Sequence, residues 1–171
     1  MIYKFLNKLR QTKYLLNRYF FHIFLKSNLK GIKKGMKIYG NFLPVIKGVK
    51  NITIGENFRI NEYVYINARG TSEIIIGDSV TISSYAKLIT ATYDVQRLMN
   101  GEKDLFLDIH NDRSIVIGNN CWIGMGALIL PGVNLLGENI IIAAGSVVSK
   151  GFSESNVLIG GNPAKIIKNY V

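Results

Sequence analysis

The sequence predicts an all-β solenoid: a triangular stack of about five coils of short parallel strands, with a basic amphipathic helix in front, one extruded loop, and a short C-terminal segment. Two observations carry this. An aliphatic residue recurs every six positions through the body, and glycine, asparagine and aspartate cluster where such a coil must turn. A third observation, the segregation of charge, sets the N-terminal piece apart. Residues 1–55 hold 12 Lys and Arg and no acid, the first carboxylate being Glu56, whereas residues 56–171 hold nine basic against eleven acidic residues. The net charge of +10 therefore resides in the front piece, and a nucleic-acid-binding body is disfavoured. The 48% hydrophobic content and only 3 prolines fit a chain with a buried core, one domain with an appendage. The single cysteine, Cys121, rules out an intrachain disulfide framework and fits a reducing, cytoplasmic compartment.

Residues 1–35 read as the basic amphipathic helical segment and 36–171 as the solenoid domain. In the first, Leu6, Leu9, Leu16, Phe20 and Phe24 recur at three-, four- and seven-residue steps, with Lys8, Arg10, Lys13, Arg18 and Lys26 between them. Its longest apolar-aromatic run, around "YFFHIFL", is far short of the ~20 residues of a membrane span. Charges interrupt the apolar part and no small-residue cleavage site follows, so the segment is expected to be retained rather than removed as a signal peptide. Two readings stand: an apolar stripe packed on the body or a sister subunit, or a peripheral helix on an anionic membrane at the inner face of the cell membrane. His22, inside the aromatic run, is expected to be packed or interfacial rather than catalytic.

Written in sixes, the body places Ile54, Ile60, Ile66, Ile76, Ile82, Leu88, Ile117, Ile123, Ile129, Leu136, Ile142 and Val148 at the leading position. All twelve are Ile, Leu or Val, types that fill 52 of 171 positions, so chance does not produce the series. The fifth position of each six holds small or medium residues at Val64, Val80, Ala86, Thr92, Cys121, Ala127, Val133 and Ser146, with Phe58, Gly70 and Ile140 departing. Inward stacking of the aliphatics, coil on coil, is worth roughly 1.5–3 kcal/mol per buried isoleucine. Cys121 falls on an inward position and is expected to be a packing thiol. Three interruptions break the sixes: four residues near "SEII", one near "NLLG", and a long loop at about 94–114.

The motifs "IVIGNNCWIGMGALILPGV" (115–133), "AAGSVVSK" (143–150) and "GGNPAKIIK" (160–168) resemble the hexapeptide-repeat acetyltransferases, nearest to sugar and capsular-polysaccharide O-acetyltransferases of the maltose and galactoside type. The resemblance covers residues ~50–170. It implies a left-handed parallel β-helix, acetyl-CoA as cosubstrate without a metal, and a homotrimer with active sites between protomers. It further implies a sugar or lipid-linked oligosaccharide acceptor in surface polysaccharide biosynthesis.

Acetyl transfer from a thioester to a hydroxyl needs a base for the hydroxyl proton and a donor for the oxyanion. Histidine, with a reference pKa of ~6.5, suits the first role. The family places a histidine where this chain reads Thr92-Tyr93-Asp94. Tyrosine is a donor rather than a base near neutrality. The body's other histidine is His110, in the long loop between Asp108 and Asp112, either of which can orient the ring. The expectation is His110 as base, Tyr93 as substrate or oxyanion contact, and Asp94 as a weaker candidate beside them; a surface histidine or lost catalysis are the alternatives. Carried over from the resemblance, the acetyl-CoA contacts fall on Met125, Ala144, Ser149, Lys150, Lys165 and Lys168, with Trp122 against the cofactor channel or a neighbouring subunit. Acceptor contacts fall on Asn67 and Arg69. Two histidines far apart and one cysteine disfavour a transition-metal site. The rival functions are a non-catalytic trimeric β-helix scaffold and an N-acetyltransferase acting on an amino sugar.

Overall fold

The computed structural model describes residues 2–101 and 110–170. Helix α1 (Ile2–Asn28) leads into a three-sided left-handed parallel β-helix. Its first coil is β1 (Gly31–Ile32), β2 (Lys37–Ile38) and β3 (Val45–Lys47); the second is β4 (Ile52–Ile54), β5 (Arg59–Ile60) and β6 (Tyr65–Asn67). The third is β7 (Ile74–Ile76), β8 (Thr81–Ile82) and β9 (Lys87–Ile89). There the chain leaves the stack through β10 (Ala91–Tyr93), a short helix α2 (Val95–Met99) and β11 (His110–Asp112). It returns as β12 (Ile115–Ile117), β13 (Trp122–Ile123) and β14 (Leu128–Ile129), then β15 (Asn134–Leu135), β16 (Ile140–Ile142) and β17 (Val147–Val148). A closing hairpin, β18 (Val157–Gly161) and β19 (Ala164–Asn169), ends the described chain.

Each side of the prism is one sheet. Face one stacks β1-β4-β7-β12-β15, face two β2-β5-β8-β13-β16-β18-β19, and face three β3-β6-β9-β14-β17. Pairing is parallel and in register from coil to coil, as in Ile54↔Ile76 and Ile66↔Leu88. Among the described residues the antiparallel pairs are β18–β19 and the extruded β10–β11. The corner between faces one and two is turned by Asn57, Ser79, Asn120 and Asn139 at φ 54–57°, a left-handed conformation that asparagine tolerates better than most side chains. The polar residue one place earlier ties the coils together. Asp78 Oδ1 accepts the Glu56 N–H at 2.7 Å, and Asn119 Oδ1 accepts the Asp78 N–H at 2.9 Å. The Glu56 N–H, and then Lys33, hold the Asp78 carboxyl below its ordinary range.

Eleven of the twelve leading aliphatics are buried; Leu136 is not, being 64% exposed while Leu135 takes the inward place. The extra residue near "NLLG" is Leu136 itself, bulged outward so that Leu135 pairs with Ile117. Thr92 also departs from its expected inward position: it lies exposed on β10, and Thr90, fully buried, fills the inward place where the chain leaves the coil. Cys121 is buried, its Sγ directed at the Asn119 carbonyl, and burial raises its thiol pKa.

Helix α1 ends at Asn28 and the first strand starts at Gly31, four residues before the boundary expected at 35–36. The helix does not bury the stripe expected to pack. Leu25 is fully buried in the prism core with Phe21 against it; Tyr14 meets Phe42, and Arg18 Nη1 reaches the Ile38 carbonyl. Leu6, Leu9, Leu16, Phe20 and Phe24 all remain exposed. His22 lines a cleft with Leu15, Arg18, Tyr19 and Ile38, where desolvation and then Lys26 lower its pKa.

The bulge gives a clean stability contrast. Leu135→Ala should cost about 2–5 kcal/mol, whereas Leu136→Ala should stay within about 0.5 kcal/mol. Chemical denaturation of the two variants checks this, and equal losses would contradict the register.

Candidate active site

A small polar cluster lifts the chain out of the third coil. The buried Thr90 Oγ1 accepts the Arg69 N–H at 2.8 Å and lies 2.6 Å from the Ser72 hydroxyl, whose one proton is shared between Thr90 Oγ1 and the Arg69 carbonyl at 2.5 Å. These bonds satisfy groups that the four-residue insertion after β6 would otherwise bury unpaired. Above them β10 and β11 pair antiparallel, with Ala91 opposite Asp112, Thr92 opposite Asn111 and Tyr93 opposite His110. The Tyr93 and His110 rings face each other with centroids 4.8 Å apart. Two residues separated by a loop thus share one spot, because the hairpin register sets them directly across from one another.

Asp112 is held from below. Its Oδ1 lies 3.6 Å from Arg69 Nη1, beyond hydrogen-bonding distance, so the contact is an ion pair. Arg69 therefore braces the hairpin base, and Asn67 ends β6 nearby, paired with Ile89. Asp94 caps α2 through Oδ1, which accepts the Arg97 N–H at 3.2 Å. Asp108, the other candidate for orienting His110, lies outside the described residues.

The expected acetyl-CoA residues divide between two clefts. Met125 and Ala144 line a groove of ≈ 390 Å³ on face two, with Trp122, Ser83 and Asn61. Trp122 Nε1 donates to Ser83 Oγ at 2.8 Å, which holds the indole along the groove wall. Gly126 and Gly145 sit at the adjoining edge at φ 67° and 68°, and a Cβ on either would meet nothing within 4 Å. The edge at the two glycines is thus open, with the exposed Met125 side chain standing beside it. Lys150 and Lys165 line the second cleft, of ≈ 360 Å³, with Phe152, Ser153 and Glu154. Ser149 is exposed beside Lys150, and Lys168 Nζ lies over the Tyr170 ring at 4.7 Å. The groove suits a long thioester arm, and the lysines of the second cleft suit phosphates.

The sequence reading missed the polar groove residues Asn61 and Ser83. It also missed an aromatic ladder at the same edge, where Phe42, Tyr63 and Tyr85 stack at centroid spacings of 4.7 and 4.9 Å. Tyr63 and Tyr85 occupy the fourth place of "INEYVY" and "ISSYAK", so aligning the sixes column by column would have found them. Both adopt positive φ, 60° and 64°, at a cost of about 1–2 kcal/mol each. The ladder stops at Gly126, leaving the slot beyond Tyr85.

No family model matches the chain. Galactoside O-acetyltransferase of Escherichia coli is 38% identical over 120 residues, 69% of this chain and 54% of that protein. A second E. coli protein, which carries the name of a colanic acid biosynthesis acetyltransferase, is 30% identical over 80% of this chain and 71% of its own length. The maltose O-acetyltransferase structure from Clostridium difficile is 30% identical, with a TM-score of 0.67 over 85% of this chain and 72% of that one. The chain belongs to the hexapeptide-repeat acetyltransferase family. A galactoside acetyltransferase solved in complex with coenzyme A superposes with a TM-score of 0.72 at 29% identity, covering 85% of this chain and 67% of that one. The chain spans a little over half the length of the first relatives it matches, 54–57%.

The polar cluster is testable apart from chemistry. Thr90→Val keeps the shape but leaves the Arg69 N–H and Ser72 hydroxyl without that acceptor, so stability should fall by about 1–3 kcal/mol. Thermal and denaturant unfolding measure it, and a neutral result would remove the cluster as the anchor of the hairpin.

Proposed function

We propose that this acetyltransferase moves the acetyl group of acetyl-CoA to a hydroxyl of a sugar in a surface polysaccharide, at a site completed between copies in a homotrimer. One observation carries the reading. The Tyr93–His110 pair stands on a hairpin between faces three and one, whereas the glycine-edged slot at Met125 and Ala144 lies at face two. The two halves of an acyl-transfer site thus sit on different sides of one prism. They meet when the hairpin of one copy reaches the slot of the next.

In that arrangement the His110 imidazole takes the proton of the acceptor hydroxyl as its oxygen attacks the thioester carbonyl. The Tyr93 hydroxyl donates to the carbonyl oxygen as negative charge gathers there. The C–S bond then breaks, and the imidazolium returns its proton to the departing thiolate, so no group remains on the enzyme. Lys150, Lys165 and Lys168, with Ser149, hold the phosphate end of the cosubstrate, and Trp122, Met125 and Ala144 border its thioester arm. The acceptor lies along Asn61, Ser83 and the free face of the Tyr85 ring, a polar and aromatic surface suited to a sugar. Arg69 acts from beneath the hairpin as a positioning residue, and Asn67 lies at its base. The polysaccharide assignment draws on the relative named for colanic acid biosynthesis.

His110→Ala should lower acetyl transfer from labelled acetyl-CoA to sugar acceptors by at least about 100-fold, while Tyr93→Phe should cost less. Retained activity in the first and loss in the second would reverse their roles. The shared site has its own readout. His110→Ala and Ala144→Trp are each expected to be inactive. Refolded together, they should recover about a quarter of wild-type activity, because mixed interfaces pair an intact hairpin with an intact slot. No recovery would place the whole site in one copy.

A further inference from the structure

Helix α1 uses one face to close the open end of the prism and leaves the opposite face unpartnered. Tyr14, Arg18, Phe21, His22 and Leu25, spaced at helical steps, are among its half-buried and buried positions. About half a turn away lie Leu9, Leu16, Phe20 and Ile23, bordered by Leu6 and Phe24; Phe20 is 63% exposed and Leu16 52%. The helix is 27 residues, about 40 Å long, so this stripe is an extended ridge rather than a scattered set of apolar side chains.

The charge on the helix itself is of one sign. Lys13 and Lys26 are exposed on the helix, and Lys34 and Lys37 are exposed in the first coil directly after it. Two further lysines there are already engaged, Lys30 with Glu73 and Lys33 with Asp78. Residues 1–55 contain no acid. A second copy packing on the ridge through the same face would set these cations against each other. An anionic lipid surface complements both features, with headgroups for the lysines and an acyl boundary for the leucine and phenylalanine side chains. Among the described residues no helix is long and apolar enough to cross a membrane, so the fitting mode is a helix lying in the interface.

We propose that the outward ridge of α1, Leu9-Leu16-Phe20-Ile23 with Lys13, Lys26, Lys34 and Lys37, seats the protein on an anionic bilayer. This is independent of the acetyl-transfer reading, because the ridge and the Tyr93–His110 hairpin share no residue. The test is flotation of the full chain with vesicles of phosphatidylcholine alone or with about a third phosphatidylglycerol, at low and high salt. Binding is expected to the anionic vesicles only and to weaken at least tenfold in high salt. Leu16→Ser with Phe20→Ser should abolish it, and Lys13→Gln with Lys26→Gln should weaken it about tenfold. Both variants should keep the wild-type melting temperature and acetyl-CoA binding, since none of these side chains packs on the prism. Equal binding to neutral vesicles, or none to anionic ones, overturns the proposal. So does a Leu16→Ser, Phe20→Ser variant whose change is a smaller oligomer in sedimentation while vesicle binding persists; the ridge would then be a contact between copies.

Discussion

Each coil of this protein must rest on the one before at the spacing of neighbouring strands, ~4.8 Å, with its inward aliphatic side chains in line. That repeat constrains the rest. Ile54, Ile76 and Ile117 stack up face one, Ile60, Ile82 and Ile123 up face two, and Ile66, Leu88 and Ile129 up face three. A residue in excess of the repeat cannot stay in the wall without breaking three ladders, so it is expelled. Leu136 is the smallest case and the β10–β11 excursion the largest. Expulsion is also how a monotonous wall acquires chemistry, because only the expelled segments are free of the sixfold spacing.

The excursion needs a rigid root, and the wall supplies one by substituting polar for apolar at one inward position. Thr90 occupies a place where the neighbouring coils bury Ala68 and Pro131, and its hydroxyl gathers Arg69, Ser72 and the carbonyl of Asn67. The four-residue insertion after β6 and the long loop after β9 are thus one device: the first provides the hydrogen-bonding groups that anchor the second. Arg69 contributes twice, through its backbone to Thr90 and through its guanidinium to Asp112. The positive-φ tyrosines are a second departure. The corners at Tyr63 and Tyr85 would be turned at lower cost by glycine or asparagine, so retaining two strained rings in register implies a gain elsewhere. Their mutual stacking returns part of it, and the open ring face of Tyr85 beside the slot accounts for the remainder in the proposed acceptor site.

Much of the wall was legible in the sequence, because a period of six with inward aliphatics has no competing explanation. Ile117, Cys121 and Ile123 are buried where the pattern puts them. The first coil was only partly legible: Ile32, Met36 and Ile38 keep the sixfold spacing, but Ile46 follows eight residues after Ile38 and Ile54 eight after Ile46, and the open end is sealed by α1 instead of another coil. The direction of the helix stripe was hidden for a different reason. α1 has two apolar faces, one at Phe21 and Leu25 and one at Leu16 and Phe20, and amphipathicity alone does not say which meets the body. At the site, Tyr93 and His110 were each visible as residues, but their 4.8 Å approach depends on hairpin register across a loop, which spacing does not encode. Asn61 and Ser83 escaped because a polar outward residue on a solenoid wall looks like ordinary solvent-facing surface until a groove forms beside it.

Taken together, the proposed membrane seat and the proposed acetyl transfer bear on the acceptor. The helix covers the first coil, and the hairpin with His110 leaves the third, two coil heights further along the prism axis. With the ridge of α1 at the headgroup layer, the helix diameter and two coil spacings raise the reacting atoms about 20 Å above it. A lone sugar attached directly to a lipid phosphate stays within the headgroup layer and falls short of that height. An oligosaccharide rises to it with its outer units while its lipid remains in place. The prism then works as a spacer, selecting by distance from the surface as well as by contacts in the slot. On the proposed membrane seat and a lipid-linked acceptor, the hydroxyl expected to receive acetyl belongs to a unit remote from the lipid end of the chain.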